Sequence, residues 1–160
     1  MENEMIQKYH FKTSVPPSVN SLYHSTSLGK GGKSRFYMDS DAAEAKNVLV
    51  WEIKLQQKTN RCPNFKDTIV IMEVSFVNLR KNRDTDNCYK LLKDSFQKVG
   101  VIDDDKNFIE RSMQRLFTEE SEHYLLIDIY EAKGTPTQED LDRYFYWCKE
   151  EIQNKIELLK

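Results

Sequence analysis

The sequence predicts a single α+β domain: a β-α-β-α-β-β core with a mixed sheet, helices mainly on one face, and an added C-terminal helix. Three observations predict it. Strand-like runs alternate with two stretches whose apolar residues recur at helical spacing. The strongest run, residues 67–77 (DTIVIMEVSFV), is apolar almost without interruption through Met72, as an inner strand must be. The 160 residues, 39% of them apolar, suffice for one real core without disulfide or metal staples.

Each element has a local reason. Residues 5–12 (MIQKYHFK) read as a short strand, ended by Pro16 and Pro17, which deny backbone donors and force an extended path. Residues 25–34 (STSLGKGGKS) read as a mobile basic loop, with three glycines among Lys30, Lys33 and the adjoining Arg35. Ser40 or Asp41 caps a helix reaching about Thr59, with Ala42, Ala45, Leu49 and Ile53 as its buried stripe. After the turn at Cys62-Pro63-Asn64 comes the inner strand, then a polar exit over residues 78–85. A second helix spans about 86–99, with Cys88, Leu91, Leu92, Phe96 and Val99 on its apolar face and Gly100 as terminator. Residues 108–118 and 123–131 read as an antiparallel hairpin. Gly134-Thr135-Pro136 breaks the chain, and Thr137 caps a last helix. The expected division is therefore a main domain over 1–133 and a helical extension over 134–160, packed on the domain or at a dimer interface.

The 24 basic and 26 acidic side chains leave a net charge of −2, which argues against a uniformly basic nucleic-acid binder. Sign separates along the chain, however. Residues 1–100 hold 16 basic and 11 acidic groups, net +5; residues 101–160 hold 8 and 15, net −7. No apolar run approaches the length of a membrane helix, and the start of the chain lacks the pattern of a signal peptide. Cys62, Cys88 and Cys148 are widely spaced and odd in number, so they are expected to be reduced thiols in a cytoplasmic protein. Residues 27–34 nearly spell a phosphate-binding P-loop, but Ser27 replaces the first glycine and no buried strand leads into it, so no nucleotide cofactor is expected. His10, His24 and His123 show no ligand spacing.

The chemistry concentrates in residues 80–90, RKNRDTDNCYK. Asp84 and Asp86 are two apart, so in an extended segment they point the same way. Lys90 is one helical turn beyond Asp86, and both fall opposite the apolar stripe of the second helix. Asp103, Asp104 and Asp105 follow that helix, which at 1.5 Å per residue is roughly 20 Å long. They join the first pair only if the chain folds back along the helix. Acids that met would repel unless a cation neutralised them, and Mg²⁺ or Mn²⁺ takes carboxylates, waters and substrate phosphate. Arg80, Lys81 and Arg83 suit the flanking phosphate backbone. Taken singly the pieces are bland: Asp86 suits a helix cap, an Asp run suits a solvated loop, and Lys90 suits a surface. Their co-occurrence is the signal.

That co-occurrence resembles the RusA family of Holliday-junction resolvases, small phage and prophage endodeoxyribonucleases. Three stretches carry the likeness. Residues 16–23 (PPSVNSLY) are similar to the family's P-P-S-x-N-x-x-Y, Arg83-Asp84-Thr85-Asp86-Asn87 with Lys90 to its R-D-x-D-N-x-x-K, and residues 100–105 (GVIDDD) to its G-x-x-x-D-D. The resemblance implies a homodimer that binds four-way or other branched DNA and nicks two strands symmetrically with Mg²⁺ or Mn²⁺, in recombination and repair. It implies Asp84, Asp86 and Asp105 as catalytic, metal-binding acids and Lys90 as an assisting lysine. Asp104 is an alternative ligand, because Asp103 departs from the usual residue there and blurs the register. Lys30, Lys33, Arg35, Arg80, Lys81 and Arg83 are the expected DNA contacts. The alternatives are a non-catalytic branched-DNA-binding or assembly protein on the same scaffold, and a nuclease for other branched DNA.

Overall fold

The computed structural model describes residues 6–16, 23–26, 35–38, 40–80 and 85–132. The expected C-terminal helix, Cys148, Lys30, Lys33, Lys81, Arg83 and Asp84 lie outside them. The elements in order are β1 (Tyr9–Thr13), β2 (Tyr23–Thr26), β3 (Arg35–Met38), α1 (Ser40–Thr59), β4 (Val70–Val77), α2 (Asp86–Val99), β5 (Phe108–Leu116) and β6 (Tyr124–Glu131), with one turn of 3₁₀ helix at Asp105–Asn107.

Four strands form the main sheet in the order β1-β6-β4-β5, and β2 pairs with β3 in a separate two-stranded sheet. β1 and β4 each run antiparallel to β6, while β5 runs parallel to β4. The sheet is thus mixed, as expected, but the expected hairpin over 108–118 and 123–131 is not formed. β4 lies between β5 and β6. Its eight residues are all buried, so it needs a neighbour on each edge as well as cover on both faces. The helical crossover through α2 is the connection that a parallel β4–β5 pair requires. A second correction concerns the basic stretch. The loop expected over 25–34 is shorter at its start, because Ser25 and Thr26 belong to β2 and pair with Phe36 and Arg35 of β3.

Both helices contribute to one core. Leu49 and Ile53 of α1 and Cys88, Leu91, Leu92 and Phe96 of α2 cluster with Phe11, Met72, Val74, Phe76, Leu125 and Ile127. These strand residues alternate along β4 and β6, so they share a single face of the sheet. Phe96 is the hub: its ring meets Phe11 edge-on at 5.2 Å and Phe108 at 5.9 Å, tying α2 to β1 and β5.

The opposite face is buried too, and it carries charge. Glu73 of β4, Asp128 of β6 and His10 of β1 stand in register across three strands. Glu73 is fully buried; it accepts a hydrogen bond from the Tyr130 hydroxyl at 2.6 Å and faces the Lys8 ammonium at 3.5 Å. Asp128 meets the His10 ring at 2.5 Å. Buried carboxylates are tolerable only with such partners.

Cys62 and Cys88 are both buried thiols. Burial pushes the Cys62 thiol up to about 12, so almost none of it is thiolate near neutrality. Iodoacetamide at pH 8 is therefore expected to leave Cys62 intact in the folded protein and to modify it once denaturant is added. Rapid labelling of the native protein at Cys62, read by peptide mass, would contradict this burial.

Candidate nuclease site at the start of the second helix

The site begins where β4 ends. Asn78 follows Val77 with φ of 55°, a left-handed conformation that Asn tolerates better than most residues. Its amide is tied on every side. The two side-chain N–H groups are shared among Thr118 Oγ1 at 2.7 Å and the carbonyls of Glu120 and Glu122 at 2.9 and 2.8 Å. The side-chain oxygen accepts from the Thr118 N–H at 2.7 Å. The backbone N–H of Asn78 donates to the Leu116 carbonyl. Asn78 thus fixes the strand end to the 116–122 segment. Sequence reasoning passed over it as part of a polar exit; a lone Asn at a strand end carries little signal. Arg80, exposed, adds a second tie, its carbonyl accepting from the Arg115 guanidinium at 3.1 Å.

Thr85 is the N-cap residue of α2, and its side chain makes no capping bond. Asp86 is the first helical residue rather than the cap. An acid in this first turn is favoured by the helix dipole. Cys88, Tyr89, Leu91, Leu92, Ser95 and Phe96 are buried, whereas Lys90 is exposed. The expected division of α2 into a core stripe and an outward Lys90 is thus observed. The Cys88 thiol donates to the Pro16 carbonyl at 3.5 Å. The start of the P-P-S-x-N segment therefore lies against the first turn of α2, although 72 residues separate the two in sequence. Arg35 opens β3.

The third segment lies at the other end. Gly100, at φ of 89°, terminates α2; its N–H reaches the Phe96 and Gln97 carbonyls, and the Val101 N–H reaches the Phe96 carbonyl. This is the double closure that a left-handed glycine permits. Val101 and Ile102 are buried, and the Phe65 N–H donates to the Val101 carbonyl at 2.9 Å. The exposed Asp103 accepts from the Asp67 N–H at 3.3 Å, while Gln97 donates to its carbonyl at 3.0 Å. Asp103 therefore has a local structural role. Asp104 and Asp105 are half-buried, and Asp105 opens the 3₁₀ turn.

β5 starts at Phe108 opposite Val70, the first residue of β4. Asp105 is thus at the N-terminal end of β4, and Asp86 follows its C-terminal end. The chain does not fold back along α2, whose 14 residues at 1.5 Å each span about 20 Å. That exceeds what two Asp side chains bridge. Among the described residues no group of three His, Cys, Asp or Glu side chains converges on a point.

Over residues 15–129 the chain matches the family of the endodeoxyribonuclease RusA. The chain belongs to the RusA family. The match includes β4, β5 and nearly all of β6, both helices and all three motif segments, and leaves out β1. RusA-family membership places the protein among endodeoxyribonucleases that act on Holliday junctions. The small α+β domain with its mixed four-stranded sheet fits the RusA family. No curated protein shows significant similarity to the chain. Among the described residues no helix is long and apolar enough to cross a membrane.

Proposed function

We propose that this RusA-family protein is a homodimeric, metal-dependent resolvase that nicks a four-way junction at two symmetric positions. The observation that carries the proposal is the R-D-T-D-N-x-x-K run, which in the sequence falls between β4 and the first turns of α2, within the family match. The donor set fits a hard divalent cation. Asp84 and Asp86 supply carboxylate oxygens, and Mg²⁺ or Mn²⁺ is content with one or two of these plus water and phosphate. Such an ion would supply an activated water and stabilise the leaving oxygen of a phosphodiester.

The chain's own residues do the rest. Asp84 and Asp86 hold the ion, and the buried face of α2 fixes the backbone from which Asp86 projects. Lys90, exposed one turn along, faces charge on the phosphate. Arg80, Lys81 and Arg83, with Lys30, Lys33 and Arg35, take the DNA backbone on either side and position it without reading sequence. Asp105 enters as third acid on the family pattern, with Asp104 beside it. Its part in the reaction requires a change in the 100–107 segment or a contribution from another copy, because α2 holds it away from Asp86.

The test is cleavage of four-way, three-way and flap DNA with Mg²⁺, with Mn²⁺ and with chelator. The expected result is paired nicking of the four-way junction in either metal and none in chelator. Binding without cleavage in every metal would make the protein a branched-DNA-binding module instead. Preference for the flap would make it a nuclease for other branched DNA.

A further inference from the structure

The second face of the sheet is buried, yet neither α1 nor α2 lies on it. Along β4 and β6 this face runs from Ile71 to Val77 and from Tyr130 back to Tyr124, and every residue on it is at most 5% exposed within a single chain. Both helices pack on the other face. Among the described residues the apolar cluster of the second face, Val77, Tyr124 and Leu126 with the half-buried Leu116, holds residues of β4, β5 and β6 only. On the edge strand β1 the burial weakens: Lys8, His10 and Lys12 on or beside this face are half-buried. Two strands at about 4.8 Å spacing make a strip about 10 Å wide, the width of one helix. From Ile71 to Val77 the strip is about 20 Å long at 3.3 Å per residue.

One stretch outside the described residues has the length to cover such a strip. Residues 1–5, 17–22, 27–34, 39 and 81–84 are runs of eight residues or fewer, whereas 133–160 is much longer. Its sequence carries Leu141, Phe145, Cys148, Ile152 and Leu159 at steps of four, three, four and seven, one apolar side of a helix. At 1.5 Å per residue that side is about 27 Å long, enough for the strip. The chain also arrives in the right place. The Ala132 N–H donates to the Ile69 carbonyl at 2.8 Å, so β6 leaves the sheet beside the Ile71–Tyr130 pair. Gly134-Thr135-Pro136 then lets the chain turn back.

We propose that residues 137–160 form a helix seated on this second face, antiparallel to β6, with Leu141 at the Ile71–Tyr130 end. Charge suits that direction. Lys155, the one cation on the apolar side, then falls about 21 Å along the axis from Leu141, at the Tyr124 end of the strip. Burial, and then the Glu120 and Glu122 carboxylates, raise the Tyr124 hydroxyl above its ordinary range, so this end is acidic and Lys155 opposes it. Cys148, about 10 Å along, comes level with Ser75, about 13 Å from Ile71 along β4. The occupant belongs to the same chain, because the burial is complete without a second copy. The sheet then separates the segment from α2 and Asp86.

The test is disulfide trapping in the full chain, with circular dichroism confirming fold. Ser75→Cys is a near-isosteric change at a buried position. Oxidation of the folded variant by copper phenanthroline is expected to join the introduced thiol to Cys148 within one chain, read as a loss of about 2 Da and a linked peptide. Two further chains carry Ser75→Cys and Cys148→Ser with either Phe145→Cys or Ile152→Cys, and cover one helical turn in each direction. In the unmodified chain Cys148 should react with iodoacetamide at least about ten-fold more slowly than after denaturant is added. No bond in any of the three folded variants overturns the proposal. So does a bond between two chains, which puts another copy on this face. A bond from Cys148 to Val48→Cys, on the exposed side of α1, overturns it as well, because the segment then covers that helix instead.

Discussion

Asp86→Asn is expected to abolish nicking of a four-way junction while leaving junction binding close to wild type. The substitution keeps the size and one acceptor of the side chain and removes its charge, so a hard cation loses an anionic ligand without a steric change. A drop of roughly a hundred-fold or more in nicking rate is the scale of losing one charge-stabilising group at a reacting centre. The fold should survive. Asp86 is at the first position of α2, and the acid–dipole interaction there is worth only about 0.3–1 kcal/mol. Phosphate contacts from the basic residues are untouched, and removing a negative charge near DNA does not weaken them. Single-turnover cleavage and a gel-shift titration with the same junction separate the two effects. Asp105→Asn belongs beside it: comparable loss puts the distant acid in the reaction, and wild-type nicking confines the site to the N-terminal end of α2.

Phe96→Ala is expected to cost about 3–5 kcal/mol of stability, the usual cost of truncating a buried Phe. Phe96 is fully buried and touches both Phe11 and Phe108 edge-on. The change opens a void where α2, β1 and β5 meet, and those elements cannot all close on it. Against a total of about 5–15 kcal/mol for a small domain, the variant should sit near the edge of folding. Urea titration followed by circular dichroism measures the loss. Since Phe96 anchors α2, nicking should fall only in proportion to the unfolded fraction. A loss below about 1 kcal/mol would mean that this aromatic cluster is not the centre of the core.

The helices were the most legible part of the sequence. Apolar spacing, the Ser40/Asp41 start and the Gly100 stop are local signals, and α1 and α2 run over the residues those signals mark. The order of the strands was not local. Sequence neighbours β5 and β6 look like a hairpin, yet the burial of all of β4 draws one to each of its edges. The β2–β3 pair was hidden because its strands are only four residues each. Glu73 and Asp128 alternate with apolar residues as outward positions would, and only the structure shows both nearly inaccessible. The candidate site was legible as a motif, and helix length alone set the condition for its acids to meet; within one chain that condition is not satisfied. Asn78, which ties the end of β4 to the 116–122 segment, left no pattern to read.

The central claim is that the acids at the start of α2 hold a divalent metal. Mn²⁺ binding followed by electron paramagnetic resonance, with and without a four-way junction, tests it most directly. The account predicts that wild type removes free Mn²⁺ from solution and that Asp84→Asn/Asp86→Asn, folded by circular dichroism, does not. Equal Mn²⁺ binding by the wild type and the double variant would contradict it.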